Sequence, residues 1–311
     1  MTWLITGAAG YIGGHVVKEF LSEGHEIVCL DSLESGEKSR IPQGANFLLG
    51  NILDEQLLNK IFKKYKIKNI VHLAAKKSVS ESELNPALYE EVNVQGTRNL
   101  INCARKFQIE KFIFSSSAAV YGNIDKGVAV ESDPTLPISV YGKTKLKSEQ
   151  DLAEEYRNGN FCGSSLRFFN VAGADSPNLS DKNSENLIPN VFSKLIAGYS
   201  PVIYGNDYPT KDGTCVRDYV HVSDIARAHL VLGESTKPLP QNLNIGTGRG
   251  VSVLEVINVV QEILGTSIQP IISAQRLGDP HTLIADPKLY EDTYAISCRR
   301  GIRDIVSSIL M

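Results

Sequence analysis

A tyrosine and a lysine four positions apart, Tyr141 and Lys145, are the first residues in this 311-residue chain whose spacing suggests chemistry. On a helix they share one face. A phenol titrates near ~10, too high to act as a base at neutral pH. A neighbouring ammonium favours the phenolate and lowers that value. The pattern Y-x-x-x-K alone also describes an ordinary solvated helix face. Its setting adds weight, because Ser115, Ser116 and Ser117 close an apolar run upstream. A serine hydroxyl there can hydrogen-bond the same substrate oxygen as Tyr141; the bland alternative is a hydroxyl-rich loop capping its own backbone.

Such a pair needs a partner to oxidise or reduce, and the N-terminus supplies a candidate site. Residues 6–13 read TGAAGYIG, with glycines at Gly7, Gly10 and Gly13. An apolar run precedes them and an amphipathic stretch, 11–21, follows. A strand, a tight glycine turn and a helix aim the helix's first amides, and the positive end of its dipole, at one point. The first glycine permits the turn, the second lets a pyrophosphate approach, and the third lets helix and strand pack closely. A second apolar run, 26–30, ends at Asp31. An acid about 20 residues after such a turn accepts hydrogen bonds from the ribose hydroxyls of NAD. It repels the 2′-phosphate of NADP, and no Arg directly follows Asp31, so NAD is the expected cofactor. Its nicotinamide would add a second positive charge beside Tyr141.

The elements that must hold these residues alternate through the first half. Strands are expected at 46–49, 69–73, 111–114 and 161–167, with helices over 54–64, 86–107 and 139–156. That rhythm predicts an α/β fold: a Rossmann-type doubly wound parallel sheet with helices on both faces. Ligands sit beyond the carboxyl ends of such strands. After Gly173 the rhythm loosens, with helices expected at 190–197, 224–232, 253–264 and 300–310 and strands at 202–204, 243–245 and 268–271. Residues 1–173 are therefore read as an NAD-binding domain and 174–311 as a smaller α/β substrate lobe, with pieces near 214–250 able to return to the first.

Composition sets outer bounds. Hydrophobic residues make up 42% and charged residues 22%, which suits a soluble protein with a real core. A net charge of −3 gives no reason to expect nucleic acid. No apolar stretch is long enough for a membrane span, and an N-terminus that opens in a strand leaves no room for a signal peptide. Five scattered cysteines without C-x-x-C suit a reducing cytoplasm rather than a disulfide framework or structural zinc. Six histidines without close spacing argue against a metal site.

In order, the chain carries TGAAGYIG, SSSAAVYG, YGKTK, LRFFNVAGA, DYPTKDGTCVRDYVHVSD, NIGTG and RLGDP. Over roughly residues 2–290 it resembles the extended short-chain dehydrogenase/reductase family, and within it the nucleotide-sugar 4-epimerases. The resemblance implies NAD-dependent epimerisation at carbon 4 of a UDP-hexose such as UDP-glucose or UDP-galactose, through a transient 4-keto sugar. Tyr141 would be the acid/base, Lys145 would bind the nicotinamide ribose, and Ser117 is the serine that matches the family's active-site one. The implied cofactor contacts are Gly7, Gly10, Tyr11, Ile12 and Gly13 at the turn, then Asp31, Ser32, Asn51 and Ile52. Leu73, Ala74, Ala75, Lys77, Asn93, Ser115, Phe168 and Phe169 complete them. On the sugar-nucleotide side, Asn170, Asn186, Leu187 and Tyr204 match contacts. Arg217 and Arg276 would neutralise the diphosphate, and Asp279 would hold the uridine ribose. Guanidinium forks do suit phosphate oxygens.

The family pattern is not matched everywhere. Asn51 stands where many relatives carry an Asp toward the adenine. Leu283 occupies a pocket position that is bulky and aromatic in some relatives and small in others, which leaves N-acetylated sugars open. The loop after Gly173 is short and the aromatic-rich tail of many members is absent. Alternatives on the same scaffold are a 4,6-dehydratase, a keto-sugar reductase and a UDP-N-acetylhexosamine 4-epimerase; a non-catalytic NAD-binding scaffold is the alternative of another class. Ala118 and Ala119 follow Ser117 where dehydratases place Asp-Glu, which disfavours elimination. The family's dimers form through the two long helices, here 86–107 and 139–156, so a homodimer is expected.

Overall fold

The computed structural model describes residues 1–276 and 279–310. Leu277 and Gly278 of the RLGDP stretch, and Met311, lie outside the described residues. The chain begins with strand β1 (Thr2–Thr6), helix α1 (Tyr11–Ser22), β2 (Glu26–Asp31), β3 (Asn46–Leu49), α2 (Glu55–Tyr65) and β4 (Asn69–His72). Two short helices, α3 (Val79–Leu84) and α4 (Pro86–Tyr89), run into a π-helical turn (Glu90–Gln95) and then α5 (Gly96–Phe107). Next come β5 (Lys111–Ser117), β6 (Val128–Ala129), α6 (Val140–Arg157), β7 (Cys162–Phe168), β8 (Asn170–Ala172), α7 (Leu187–Ile196) and β9 (Val202–Tyr204). The remainder is β10 (Val216–His221), α8 (Val222–Glu234), β11 (Asn242–Ile245), β12 (Gly250–Ser252), α9 (Val253–Leu264), β13 (Ile271–Ser273), β14 (Thr282–Ala285), α10 (Lys288–Tyr294) and α11 (Ile302–Ser307).

These elements form two compact units. The first comprises Met1–Gly122, Pro134–Phe168 and Ser223–Leu243. It is built on a seven-stranded sheet of order β11-β7-β5-β4-β1-β2-β3, parallel from β3 through β7. The sheet is Rossmann-like: the order turns back between β1 and β4, which makes their carboxyl ends the switch point where ligands bind. Strands buried on both faces read as continuous apolar runs, and Trp3, Leu4 and Ile5 of β1 are fully buried. One cluster packs α2 and α5 against the sheet through Leu58, Phe62, Leu100 and Ile101. On the other side of β1, Trp3 meets Phe20 of α1 edge-on at 4.8 Å.

The expected helix over 86–107 is not uniform. It is α-helical at each end and widens by one residue per turn over Glu90–Gln95. The Thr97 hydroxyl donates to the Asn93 carbonyl at 2.5 Å, and the Ser148 hydroxyl shares its proton between that carbonyl at 3.1 Å and the Thr144 carbonyl at 3.0 Å. Groups that compete for a helix carbonyl in this way accompany such widened turns.

The second unit comprises Asn123–Asp133, Phe169–Val222 and Asn244–Met311. Its main sheet runs β12-β10-β14-β6, with β8 also on β10. β9 and β13 form a separate parallel pair. Its core joins α7, α9 and α11 through Ile188, Val191, Val256, Ile257 and Ile305. A capping box of Ser252 and Glu255 starts α9. The parallel strands β10 and β14 were not expected from the sequence: a stretch as polar as Val-Arg-Asp-Tyr shows no apolar run, and its pairing partner Thr282–Ala285 lies more than sixty residues away.

Candidate active site

In the first unit, the turn after β1 is built around one left-handed residue. Gly7 has φ +69°, and a Cβ there would lie 2.6 Å from the Ala74 amide nitrogen. Both facts require glycine. A Cβ on Gly13 would lie 2.1 Å from the Gly7 carbonyl oxygen, so the third glycine lets α1 sit directly on the turn. Gly10 is the N-cap of α1, yet no side chain caps the helix and no acid lies in its first turn. That leaves the dipole's positive end for an anionic ligand. Asp31 is buried at the end of β2. Its two carboxylate oxygens accept from the Ala9 amide at 2.9 Å and the Leu33 amide at 2.8 Å. Each oxygen keeps a lone pair for a ribose hydroxyl. Glycine cradle, uncapped helix and carboxylate together fit a dinucleotide.

The three serines closing β5 part company. Ser115 hydrogen-bonds the His229 ring at 2.8 Å, and Ser116 donates to Glu149 at 2.5 Å. Ser117 accepts from the Ala119 amide at 3.2 Å and lies beside the Tyr141 phenol, whose ionisation it favours. Strand alternation sends Ser116 to the opposite face, where Glu149 forms a buried ion pair with Arg167 at 2.6 Å. The YGKTK stretch opens α6, whose N-cap Ser139 accepts from the Gly142 amide at 3.0 Å. A Cβ at Gly142 would come within 2.6 Å of the Ala119 carbonyl, so glycine lets the first turn of α6 press onto the chain just after Ser117.

Lys145 is buried one turn further on, and its ammonium donates to the Ser115 carbonyl at 2.8 Å. It also lies 4.8 Å from the centre of the Phe114 ring and 5.9 Å from that of Tyr141. Burial lowers Lys145 to about 8. Burial raises the Tyr141 phenol above its ordinary value, and Ser117 acts against that rise.

A family model described as "NAD dependent epimerase/dehydratase family" matches residues 3–246. The chain belongs to this family. It is 40% identical over 295 residues to the UDP-glucose 4-epimerase of Halalkalibacterium halodurans, covering 92% of this chain and 87% of that one. Among solved structures it superposes with TM-score 0.93 at 33% identity on the Stenotrophomonas maltophila UDP-glucose 4-epimerase with bound NAD and formylated UDP-arabinopyranose, covering 99% and 96% of the two chains. A UDP-Glc/GlcNAc 4-epimerase from Campylobacter jejuni gives TM-score 0.86 at 36% identity, covering 99% and 97%.

The other positions of this epimerase/dehydratase family member that were expected on the cofactor side also lie in the first unit, except Phe169, which opens a segment of the second. Ser32 and Asn51 are exposed in the loops after β2 and β3, and Asn51 accepts from the Leu53 amide at 2.9 Å. Ile52 is buried under Gly96. Leu73, Ala74 and Ala75 follow β4, with Lys77 exposed beyond them. Asn93 is buried in the π turn with both amide protons used: it accepts from the Lys76 amide at 2.8 Å and donates to the Lys76 carbonyl and the Thr144 hydroxyl, both at 3.0 Å. Phe168 packs on the His229 ring at 5.9 Å.

Asn170 and the remaining positions expected on the sugar-nucleotide side belong to the second unit, as does Phe169, expected on the cofactor side. Asn186 is the N-cap residue of α7 and donates to Asp181 at 2.6 Å, with Leu187 next to it. Arg276 stacks its guanidinium 4.0 Å from the centre of the Tyr204 ring. Arg217 on β10 donates to Asp279 at 2.7 Å, so two residues expected on different parts of a nucleotide form one ion pair here. Sequence reasoning missed the neighbour that builds this region. Asp218 is fully buried and accepts from the Thr247 amide and hydroxyl and the Gly248 amide at 2.6–3.1 Å, and from the Ala285 amide at 3.2 Å. The NIGTG stretch is the turn that wraps this carboxylate, a pairing that only β10's long-range register creates.

Proposed function

We propose that the protein is an NAD-dependent UDP-hexose 4-epimerase that interconverts the configurations at carbon 4 of UDP-glucose and UDP-galactose through a 4-keto sugar. One observation carries the reading: Tyr141, with Ser117 beside it and the buried Lys145 one turn later, stands in a unit whose glycine turn and Asp31 fit a dinucleotide. The reported relatives are UDP-glucose 4-epimerases or a UDP-Glc/GlcNAc 4-epimerase, and one was solved with NAD and a UDP-sugar.

The dinucleotide supplies a reversible hydride acceptor. In this reading Tyr141 takes the proton of the sugar 4-hydroxyl and later returns it. Ser117 holds the same oxygen, and Lys145 binds the nicotinamide ribose while its charge favours the phenolate. Gly7, Gly10 and the first amides of α1 hold the pyrophosphate, and Asp31 the adenosine ribose. Arg217 and Arg276 take the substrate diphosphate, Tyr204 lies beside the uracil, and Asp279 turns to the uridine ribose. Because the hydride is returned, a cofactor retained through purification suffices for turnover.

The test incubates purified protein, without added cofactor, with UDP-glucose, UDP-galactose and their N-acetyl analogues, and resolves products by NMR. Conversion of either UDP-hexose toward a common mixture supports the proposal. Net oxidation, reduction or dehydration, or no conversion with NAD added, overturns it. A second reading, a UDP-N-acetylhexosamine 4-epimerase, rests on Leu283 and on the Campylobacter relative, and the same experiment's N-acetyl arm decides it.

Among the described residues no helix is long and apolar enough to cross a membrane. All five cysteines are free thiols, which suits the cytoplasm as the working compartment. For assembly we infer a homodimer through α5 and α6, which are tied to each other by Arg98 and Asp151 at 2.7 Å. Light scattering should give twice the chain mass of 34.0 kDa, and a monomer would overturn this.

A further inference from the structure

His72 ends β4 with 1% of its surface exposed, and both ring nitrogens are engaged. Nδ1 lies 2.7 Å from the Thr6 hydroxyl and Nε2 lies 2.9 Å from the Thr97 hydroxyl. The Thr97 hydroxyl itself donates to the Asn93 carbonyl at 2.5 Å. A hydroxyl has one proton, so Thr97 must accept from the ring, and His72 carries its proton on Nε2. The ring is neutral, because burial, and then the charge of Lys145, hold His72 down at about 3. Nδ1 is therefore an acceptor and Thr6 its donor. Thr6 in turn accepts from the Ala74 amide at 3.4 Å. Every proton then points one way, from the Ala74 amide through Thr6, His72 and Thr97 to Asn93.

The far end of this chain returns to the same loop. The Asn93 side chain clasps the amide and carbonyl of Lys76 and reaches Thr144, whose hydroxyl donates to the Tyr141 carbonyl at 2.8 Å. Residues 74–76 are thus held at both ends by one set of bonds. The Ala74 end is the one that lies against Gly7. The ring also packs on Phe114 at 5.6 Å and edge-on to Phe112 at 6.0 Å. Imidazole offers a donor and an acceptor at fixed spacing on opposite sides of one rigid ring, which no aliphatic amide reproduces.

We propose that His72, as its Nε2–H tautomer, is a positioning residue for the dinucleotide. It ties the glycine turn after β1 to Asn93 and so sets the loop after β4 against the cofactor cleft. The inference rests on the NAD site of the function proposed above. None of these contacts requires His72 to touch cofactor or substrate; it acts through the backbone at residues 74 and 76.

The test has two arms. Nitrogen-15 NMR of the intact protein should show Nε2 protonated and Nδ1 bare, unchanged from pH 5 to pH 8. An Nδ1–H tautomer or an imidazolium at pH 7 overturns the proposal without any cofactor being involved. In the second arm NAD affinity is measured by titration of stripped protein. His72→Phe and Thr97→Val should each weaken NAD by about tenfold or more, since each strands buried hydrogen-bonding groups. His72→Gln keeps a donor toward Thr97 and should recover part of the loss. At saturating NAD, kcat should return close to the unaltered protein's, while the half-saturating NAD concentration stays high. Unchanged affinity in Thr97→Val, which is close to isosteric, overturns the proposal even where His72→Phe fails to fold. Failure of the unaltered protein to take up NAD overturns the proposed function as well.

Discussion

At the scale of single residues, the chemistry turns on what a buried phenol costs to ionise. Burial pushes Tyr141 up and Ser117 pulls it back, so the phenol's ionisation depends on its serine neighbour. Replacing Tyr141 with Phe removes the proton acceptor but leaves the glycine turn, Asp31 and Lys145 as they are. Turnover should fall by about 10²–10⁴-fold or more while NAD stays bound; undiminished epimerisation would take Tyr141 out of the mechanism. Ser117→Ala is the more informative change. Without that hydroxyl the phenol rises further, so the phenolate is reached only at higher pH. The rising limb of kcat/KM should move alkaline. An unmoved limb with lowered kcat would show that Ser117 holds substrate without tuning the base.

At the scale of elements, α8 is fastened to β5 by a histidine that must stay neutral. His229 accepts or donates at Ser115 through Nε2 and at the Ile225 carbonyl through Nδ1, at 2.8 Å each. Nδ1 therefore carries the proton, and Nε2 accepts from the serine. Burial lowers His229 to about 4, against about 6.5 in the unfolded chain. Between those values the unfolded state binds a proton that the folded state refuses. Stability from this residue is complete above pH 6.5 and is lost as pH falls toward 4, by about 2 kcal/mol between pH 7 and pH 5. Urea midpoints should drop over that range, and His229→Gln should drop less steeply while being less stable at pH 7. Equal slopes would remove His229 as a source of acid lability. The glycine turn and the strand–helix rhythm are legible in the sequence because they rest on local spacing. The choice of Ser117 over Ser115 and Ser116 beside Tyr141 is legible only through the family resemblance, since α6 begins 23 residues after β5 ends and only its docking chooses among them. The π turn is hidden: Thr97 and Ser148 converge on Asn93 from different helices. The Arg217–Asp279 pair spans 62 residues, and neither residue carries a signal of the other.

At the scale of the whole molecule, the chain's path decides what can stand alone. The first unit is completed by residues 223–243, which come after much of the second has been made. Those residues bring α8 and the start of β11 to a sheet whose Trp3, Leu4, Ile5, Phe112, Ile113 and Leu166 are buried, as is Phe20 of α1. Gly233 lies on the Trp3 ring, where a Cβ would come within 2.8 Å. Lys111, held below its usual value by burial, gives its ammonium to the Gly233 and Ser235 carbonyls, both at 2.6 Å. β7 donates through the Ser165 amide to the Gln241 carbonyl at 2.9 Å. A chain ended after residue 173 keeps the glycine turn, Asp31, Ser117, Tyr141 and Lys145, yet it uncovers Trp3 and Phe20 and leaves β7 as an open edge. Exposed apolar strand edges pair with other chains, and the uncovered aromatic area weakens the core by roughly 25 cal/mol for each Å² returned to water. Such a fragment should lack a cooperative thermal transition, show little near-ultraviolet circular dichroism from Trp3, and retain no NAD. Adding residues 223–243 through a flexible linker to that fragment should restore part of the transition. A truncated chain that melts cooperatively and holds NAD would show that the returning segment is a cover on the first unit and no part of its fold.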